Sequence, residues 1–310
     1  MDQAAVLGRT WEITWKHKVL WIFGMLSAGL GSGFRSMSGR IRDIFQYQIQ
    51  AEEIPQFERF LDSLSPEQAI GISSGIVVLI ILLTIVFIIL SILGLGGLIV
   101  GFDRADQDDR PGFGQLLKES SIHFWRLLGV SLMMLIVTFA ASLLLFCGVL
   151  SIGFLTFGIG LLCLCPLICL LIPLGVLFGS YISLTQVAVV VDNLGVPDAF
   201  RKAWQTLQQN PGPVVAMSLI LVVGGLIAGF FLATPMIAIA VPASTGALIE
   251  GGRAALSGQI LSGLCLLLYL PVLVLANGLL QTFIVGAWTI TYKQLSSAPS
   301  SQDSAIALTS

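Results

Sequence analysis

Polar and apolar positions divide this chain into long uncharged tracts. Residues 19–34, 68–102, 127–191, 203–249 and 254–292 contain no Asp, Glu, Lys or Arg. A hydrocarbon core about 30 Å thick is crossed by roughly 20 apolar residues in a helix, and only helices or closed barrels satisfy the backbone there. Barrel strands alternate apolar and polar positions, whereas Val77-Val78-Leu79-Ile80-Ile81-Leu82-Leu83 does not. The pattern predicts an all-α membrane protein with six transmembrane helices, at about 17–33, 71–101, 127–149, 158–190, 213–241 and 259–291. The first tract is the shortest. Residues 20–30 also fit the apolar region of a signal peptide, but the two tryptophans ahead of them are atypical of one. The tract 127–191 is read as two spans, with a turn near Gly148, Gly153, Gly158 and Gly160 and kinks at Pro166 and Pro173.

A second periodicity precedes each pair of spans. At 100° per residue, Ala4, Leu7, Trp11, Thr14 and Trp15 share a face opposite Arg9, Glu12 and Lys16. Leu116, Leu117, Phe124, Leu127 and Leu128 oppose Lys118, Glu119 and Arg126 in the same way. Val196, Phe200, Ala203, Trp204 and Leu207 oppose Asp198, Arg201, Lys202 and Gln205. Pro197 followed by Asp198 marks a helix start. The unit is an amphipathic interfacial helix followed by two spans, written three times at about 1–101, 102–191 and 192–292. The whole forms a single integral membrane domain over 1–294. Two spans restore the orientation, so all three amphipathic helices lie on one membrane face. Trp11, Trp15, Trp125 and Trp204 are the expected membrane-interface anchors. Residues 34–70 form an outer loop read as two short helices around Pro55, closed by a turn and helix cap at Ser63-Leu64-Ser65-Pro66-Glu67. Residues 295–310 read as a disordered tail.

Composition sharpens the class. Apolar residues make up 56 % of the 310, and charged residues only 10 %, against about 25 % in a soluble domain. The net charge of −2 leaves no basic stripe for nucleic acid. Placing the N-terminus inside puts ten Lys and Arg on inner segments and five on outer ones. That bias predicts a multi-pass protein of the cell inner (cytoplasmic) membrane with both termini cytoplasmic.

Two stretches carry a family resemblance. The opening Trp11-Glu12-Ile13-Thr14-Trp15-Lys16-His17-Lys18-Val19-Leu20-Trp21-Ile22-Phe23-Gly24 resembles the start of a group of uncharacterised bacterial polytopic proteins. Val190-Val191-Asp192-Asn193-Leu194-Gly195-Val196-Pro197-Asp198-Ala199-Phe200-Arg201-Lys202-Ala203-Trp204 is similar to their recurrent cytoplasmic helix. These proteins are grouped with the membrane domain found beside glycerophosphoryl diester phosphodiesterases. The resemblance implies a six-span bundle of unknown activity without the catalytic barrel.

Candidate chemistry is sparse. Cys163, Cys165 and Cys169 cluster inside a span with no His, Asp or Glu near in sequence, so they read as small hydrophobes, as do Cys147 and Cys265. His17 and His123 are too few for a zinc site. Asp103, Asp106, Asp108 and Asp109 form an acidic group that fits either a solvated loop or a divalent-cation site. Gly94-Leu95-Gly96-Gly97 lies inside a span and lacks the lysine of a phosphate loop. Gly94, Gly97 and Gly101, like Gly225 and Gly229, have the spacing of close helix packing. Gln186, Asn277 and Gln281 are the candidates for a polar in-membrane pocket. No catalytic residue, metal or cofactor is assigned. The expected role is a non-catalytic integral membrane protein that organises membrane lipids or a membrane partner complex, with a membrane protein or a second copy of the chain as partner. An uncoupled transporter or channel for an apolar or zwitterionic solute is the alternative. The lack of ionisable residues inside the spans weighs against ion coupling.

Overall fold

The computed structural model describes residues 2–31, 66–107, 109, 112–155, 164–249 and 253–297. They form eight helices and no strand among the described residues. These are α1 (Gln3–Lys16), α2 (Val19–Gly31), α3 (Pro66–Asp106), α4 (Phe113–Leu155), α5 (Leu164–Val191), α6 (Val196–Gln209), α7 (Pro211–Ile249) and α8 (Arg253–Ser297). Five of them contain stretches long and apolar enough to cross a membrane: Val77–Asp106, Phe113–Val149, Leu171–Val191, Pro211–Ile239 and Leu261–Ser296. The protein is therefore membrane-embedded. α2 is also apolar, but its 13 residues rise only about 20 Å. Among the described residues the tract 127–191 holds parts of two helices, and Pro173 lies inside the second.

The sequence boundaries shift at several places. The second amphipathic segment is not a separate helix but the first turns of α4, which runs unbroken for 43 residues. Nothing between Phe113 and Leu155 is a proline, so no residue stops the helix where it would enter the bilayer. α3 starts at Pro66, as the Ser65-Pro66-Glu67 signal predicts, so residues 66–70 belong to a helix rather than to the outer loop. The rest of that loop lies outside the described residues. α8 continues to Ser297 with Leu295 buried, so residues 295–297 are helix rather than tail.

α8 is the hub of the bundle and touches α1, α2, α3, α5 and α7, while α4 packs against α3, α5 and α6. Its closest approach is to α2. A Cβ built on Gly24 would collide with Thr282 Oγ1 and the Gly278 carbonyl, and one built on Gly278 would strike the Met25 backbone. Thr282 Oγ1 also reaches the Leu20 carbonyl at 3.3 Å. Gly94, Gly97 and Gly101 play the packing role their spacing predicts, against Phe23, Leu26, Ser27 and Leu20 of α2. Gly225 and Gly229 do not, since a Cβ on either meets nothing within 4 Å. Small-residue spacing permits close approach but does not by itself supply the facing helix.

Burial is confined to one end. Among the described residues the buried side chains fall at 6–28, 92–105, 116–134, 180–190, 199–206, 214–221 and 282–295. All of these are the ends that meet at α1 and α6. In the other half, the side chains of 77–83, 135–137, 222–223, 226–227 and 267–268 are exposed. An apolar surface of this extent is incompatible with water but ordinary in lipid.

Candidate functional site

Among the described residues the packed end carries most of the polar chemistry, and three features adjoin there. The first is a charged clasp. Lys293, near the end of α8, places Nζ 2.9 Å from Asp103 Oδ1 and 2.9 Å from Asp106 Oδ2. Arg9 of α1 lies 3.7 Å from Asp106 Oδ1 and 3.4 Å from Glu12 Oε2. Arg104 pairs with Glu119 of α4 and, at 3.4 Å, with Asp109. The sequence explains why these groups pair. Asp103 and Asp106 sit in the last turns of α3, where the helix dipole disfavours carboxylates, and cations from two other helices offset that. Asp103, Asp106 and Asp109 of the acidic group are thus ion-paired, and Asp108 lies outside the described residues. Among the described residues there is no group of three or more His, Cys, Asp or Glu able to hold a metal. The His123 ring stands 3.1 Å from the Glu119 carbonyl within its own helix. Cys147 is exposed and Cys265 is half-buried. The side chains of Cys163, Cys165 and Cys169 lie outside the described residues.

The second feature is the linker between α5 and α6. Asn193 adopts φ 52°, a left-handed conformation that asparagine tolerates better than most residues. Arg126 of α4 fixes it by donating from Nη1 to the Asn193 carbonyl at 2.8 Å and to its side-chain Oδ1. Next to it, the buried hydroxyl of Tyr292 donates to the Asp192 carboxylate, which ties α8 to the end of α5. Neither pair was anticipated. The available signals were an asparagine before Leu194-Gly195 and a tyrosine at the edge of the last uncharged tract.

The third feature is an apolar cleft of about 470 Å³ between α4, α5 and the start of α6. Met133, Met134 and Val137 form one wall, and Phe178 with Tyr181 another. Val196, Pro197 and Phe200 close it towards the linker. The Tyr181 hydroxyl donates to the Phe200 carbonyl at 3.2 Å, which presents the ring to the cleft as hydrocarbon. Gly129 lets α6 approach, since a Cβ there would press on Val196 Cγ2 at 3.2 Å.

The polar in-membrane candidates are not part of this cleft. Gln186 is half-buried on α5. Asn277 donates to the Leu273 carbonyl one turn back in its own helix at 3.0 Å. Gln281 is half-buried one turn further along α8. Among the described residues no hydrogen bond joins the three.

The tryptophans face outward. Trp11 is 56 %, Trp15 45 %, Trp125 76 % and Trp204 51 % exposed. The faces buried against the bundle are Val6, Thr10, Ile13 and Thr14 on α1, and Ala199, Ala203 and Thr206 on α6. Each is rotated by about one residue from the face that hydrophobicity alone selects. The reason is size: Ala and Thr let helix backbones close up, and the large rings are left at the margin. Trp15 stacks edge-on to Trp21 at 5.2 Å, and Trp21 Nε1 donates to the Thr14 carbonyl at 2.8 Å, which fixes the α1–α2 corner.

No curated protein and no solved structure matches the chain. The profile of one family, described as a domain of unknown function, matches residues 119–295, more than half of the chain and all of α5, α6 and α7. The chain belongs to that family, DUF7847.

Proposed function

We propose that the protein is a non-catalytic integral membrane protein that organises lipid, or a partner complex, at the cytoplasmic face of the inner membrane. One observation carries this reading. At the packed end Lys293, Arg9 and Arg104 pair with Asp103, Asp106 and Glu119, while the other halves of the spans present bare apolar surface to their surroundings. Such a molecule binds through its shape and its hydrocarbon flanks rather than through a reacting centre.

The threefold unit supports the same reading. Val6, Ser120 and Ala199 are buried at equivalent positions of the three amphipathic segments, as are Ile13, Leu127 and Thr206. Trp11, Trp125 and Trp204 fall at one further equivalent position, and all are exposed. Three outward tryptophans at one level are the arrangement of an interfacial collar. With the shorter α2 counted as a span, the bundle has six crossings and both termini on the collar side.

A vesicle flux assay tests the role. Proteoliposomes loaded with a radiolabelled zwitterionic solute such as glycine betaine are expected to leak no faster than protein-free vesicles. Efflux that depends on the protein and falls with Gln186→Ala, Asn277→Ala or Gln281→Ala would overturn it in favour of a carrier. Orientation is read by thiol labelling from outside the cell: a cysteine introduced at Glu53 is expected to react and one at Gln208 to stay protected, and the reverse pattern overturns it.

A further inference from the structure

The cleft beside α6 and the guanidinium above it belong to one helix face. Arg126, Val130, Met133 and Val137 stand at i, i+4, i+7 and i+11 on α4, a single stripe. At 1.5 Å per residue, Met133 lies about 10 Å and Val137 about 16 Å deeper along the helix than Arg126. That depth is about half of a 30 Å hydrocarbon core, the reach of one acyl chain in one leaflet. The cleft lies between two spans and the start of α6 and is lined almost wholly by carbon, which suits an occupant drawn from the bilayer. Its 470 Å³ falls within the common range for ligand pockets, about 300–1,000 Å³.

The upper end is polar. Arg126 uses Nη1 for Asn193, and a guanidinium carries five N–H donors, so three remain for another acceptor. Planar bidentate donation to a phosphate suits arginine better than any other side chain. Arg201 and Lys202 follow Phe200 directly on α6 and add positive charge at this level, whereas Asp198 adds one carboxylate. Asp192 is held by Tyr292. Asp198, in the first turn of α6, supplies an acceptor for a headgroup ammonium or hydroxyl. The left-handed Asn193 backbone is fixed by the same arginine that would meet the phosphate.

We propose that the α4–α5–α6 cleft binds one phospholipid of the cytoplasmic leaflet, with an acyl chain along Met133, Val137, Phe178 and Tyr181 and the phosphate on Arg126. The inference rests on the lipid-organising reading and assigns it a site.

Native mass spectrometry of the full chain tests it. The delipidated protein is re-equilibrated with phosphatidylglycerol, phosphatidylethanolamine or diacylglycerol, the last having chains but no phosphate. Wild type is expected to retain one molecule of either phospholipid and about tenfold less diacylglycerol. Arg126→Gln is expected to lower phospholipid retention about tenfold and to erase the preference over diacylglycerol. Val137→Trp, which fills the cleft, is expected to abolish retention of all three, and Leu226→Trp, on an exposed face of α7, to change nothing. A thermal melt of each variant confirms that it is folded, and Arg126→Gln carries the test alone if Val137→Trp is not. Retention that ignores both Arg126→Gln and Val137→Trp, or diacylglycerol held as well as the phospholipids, overturns the site. It does not touch the organising role, which only protein-dependent solute efflux overturns.

Discussion

The two halves of α3 are one helix with opposite surroundings. Residues 77–83 are exposed on every side, whereas Leu98, Ile99 and Phe102 are almost wholly buried. Both halves are apolar, so hydrophobicity does not separate them. Side-chain size and polarity do. The buried half has glycines that admit α2, a carboxylate pair that recruits Lys293, and a carbonyl at Leu93 that accepts from Ser120 of α4 at 2.7 Å. The exposed half is a run of Ile, Leu and Val with nothing to specify a neighbour. In a bilayer, where lipid is as apolar as leucine, helices associate through close backbones and polar contacts rather than through greasiness. The comparison shows this rule at work inside a single helix.

The sharpest way to break the contrast is to alter a glycine in each environment. Gly278→Leu drives a branched side chain into the Met25 backbone, which cannot rotate away. We expect a loss of about 3 kcal/mol or more, read as the disappearance of the folded peak in a thermostability assay. Gly225→Leu, with open space around its Cβ, is expected to stay within about 0.5 kcal/mol of wild type. Equal effects would show that the two environments are not different. The clasp comes next. Lys293→Met leaves Asp103 without its cation and Asp106 with only Arg9, at a cost of about 1–3 kcal/mol. The melt should fall, and the difference from wild type should shrink as salt rises, because charges this near the surface are screened. A melt unchanged at low salt would remove the clasp from the account of the packed end. The smallest effect is expected at Phe230→Ala, where the ring is 71 % exposed on the lipid side. A shift above about 1 kcal/mol there would mean that a partner, not lipid, covers that face.

The helical, membrane-embedded class was legible from the long uncharged tracts alone. The orientation of the amphipathic helices was not legible. A hydrophobic pattern weights Trp11 and Trp204 most heavily, yet the bundle is closed by Val6 and Thr10 on α1 and by Ala199 and Thr206, beside Ala203, on α6, because contact distance favours small residues. The closure between α2 and α8 was hidden for a related reason. Gly24 and Gly278 lie in separate tracts among several other glycines, and their meaning appears only when the helices cross. The Arg126–Asn193 and Tyr292–Asp192 pairs join residues far apart in sequence, and no local period connects them. The polar trio Gln186, Asn277 and Gln281 shows the converse. Sequence proximity on one helix face suggests a pocket, but a polar side chain can turn back to its own backbone, as Asn277 does.

The crossing of α2 with α8 also has a consequence in time. Thr282 reaches the carbonyl of a residue 262 positions earlier. At ordinary rates of synthesis, about 5–20 residues per second, the ribosome needs roughly 15–50 s to make that stretch. Through that interval the short α2 has no partner for its Gly24 surface. The second helix of the chain thus meets α3 early, but its Gly24 surface is closed only when the last helix has been made.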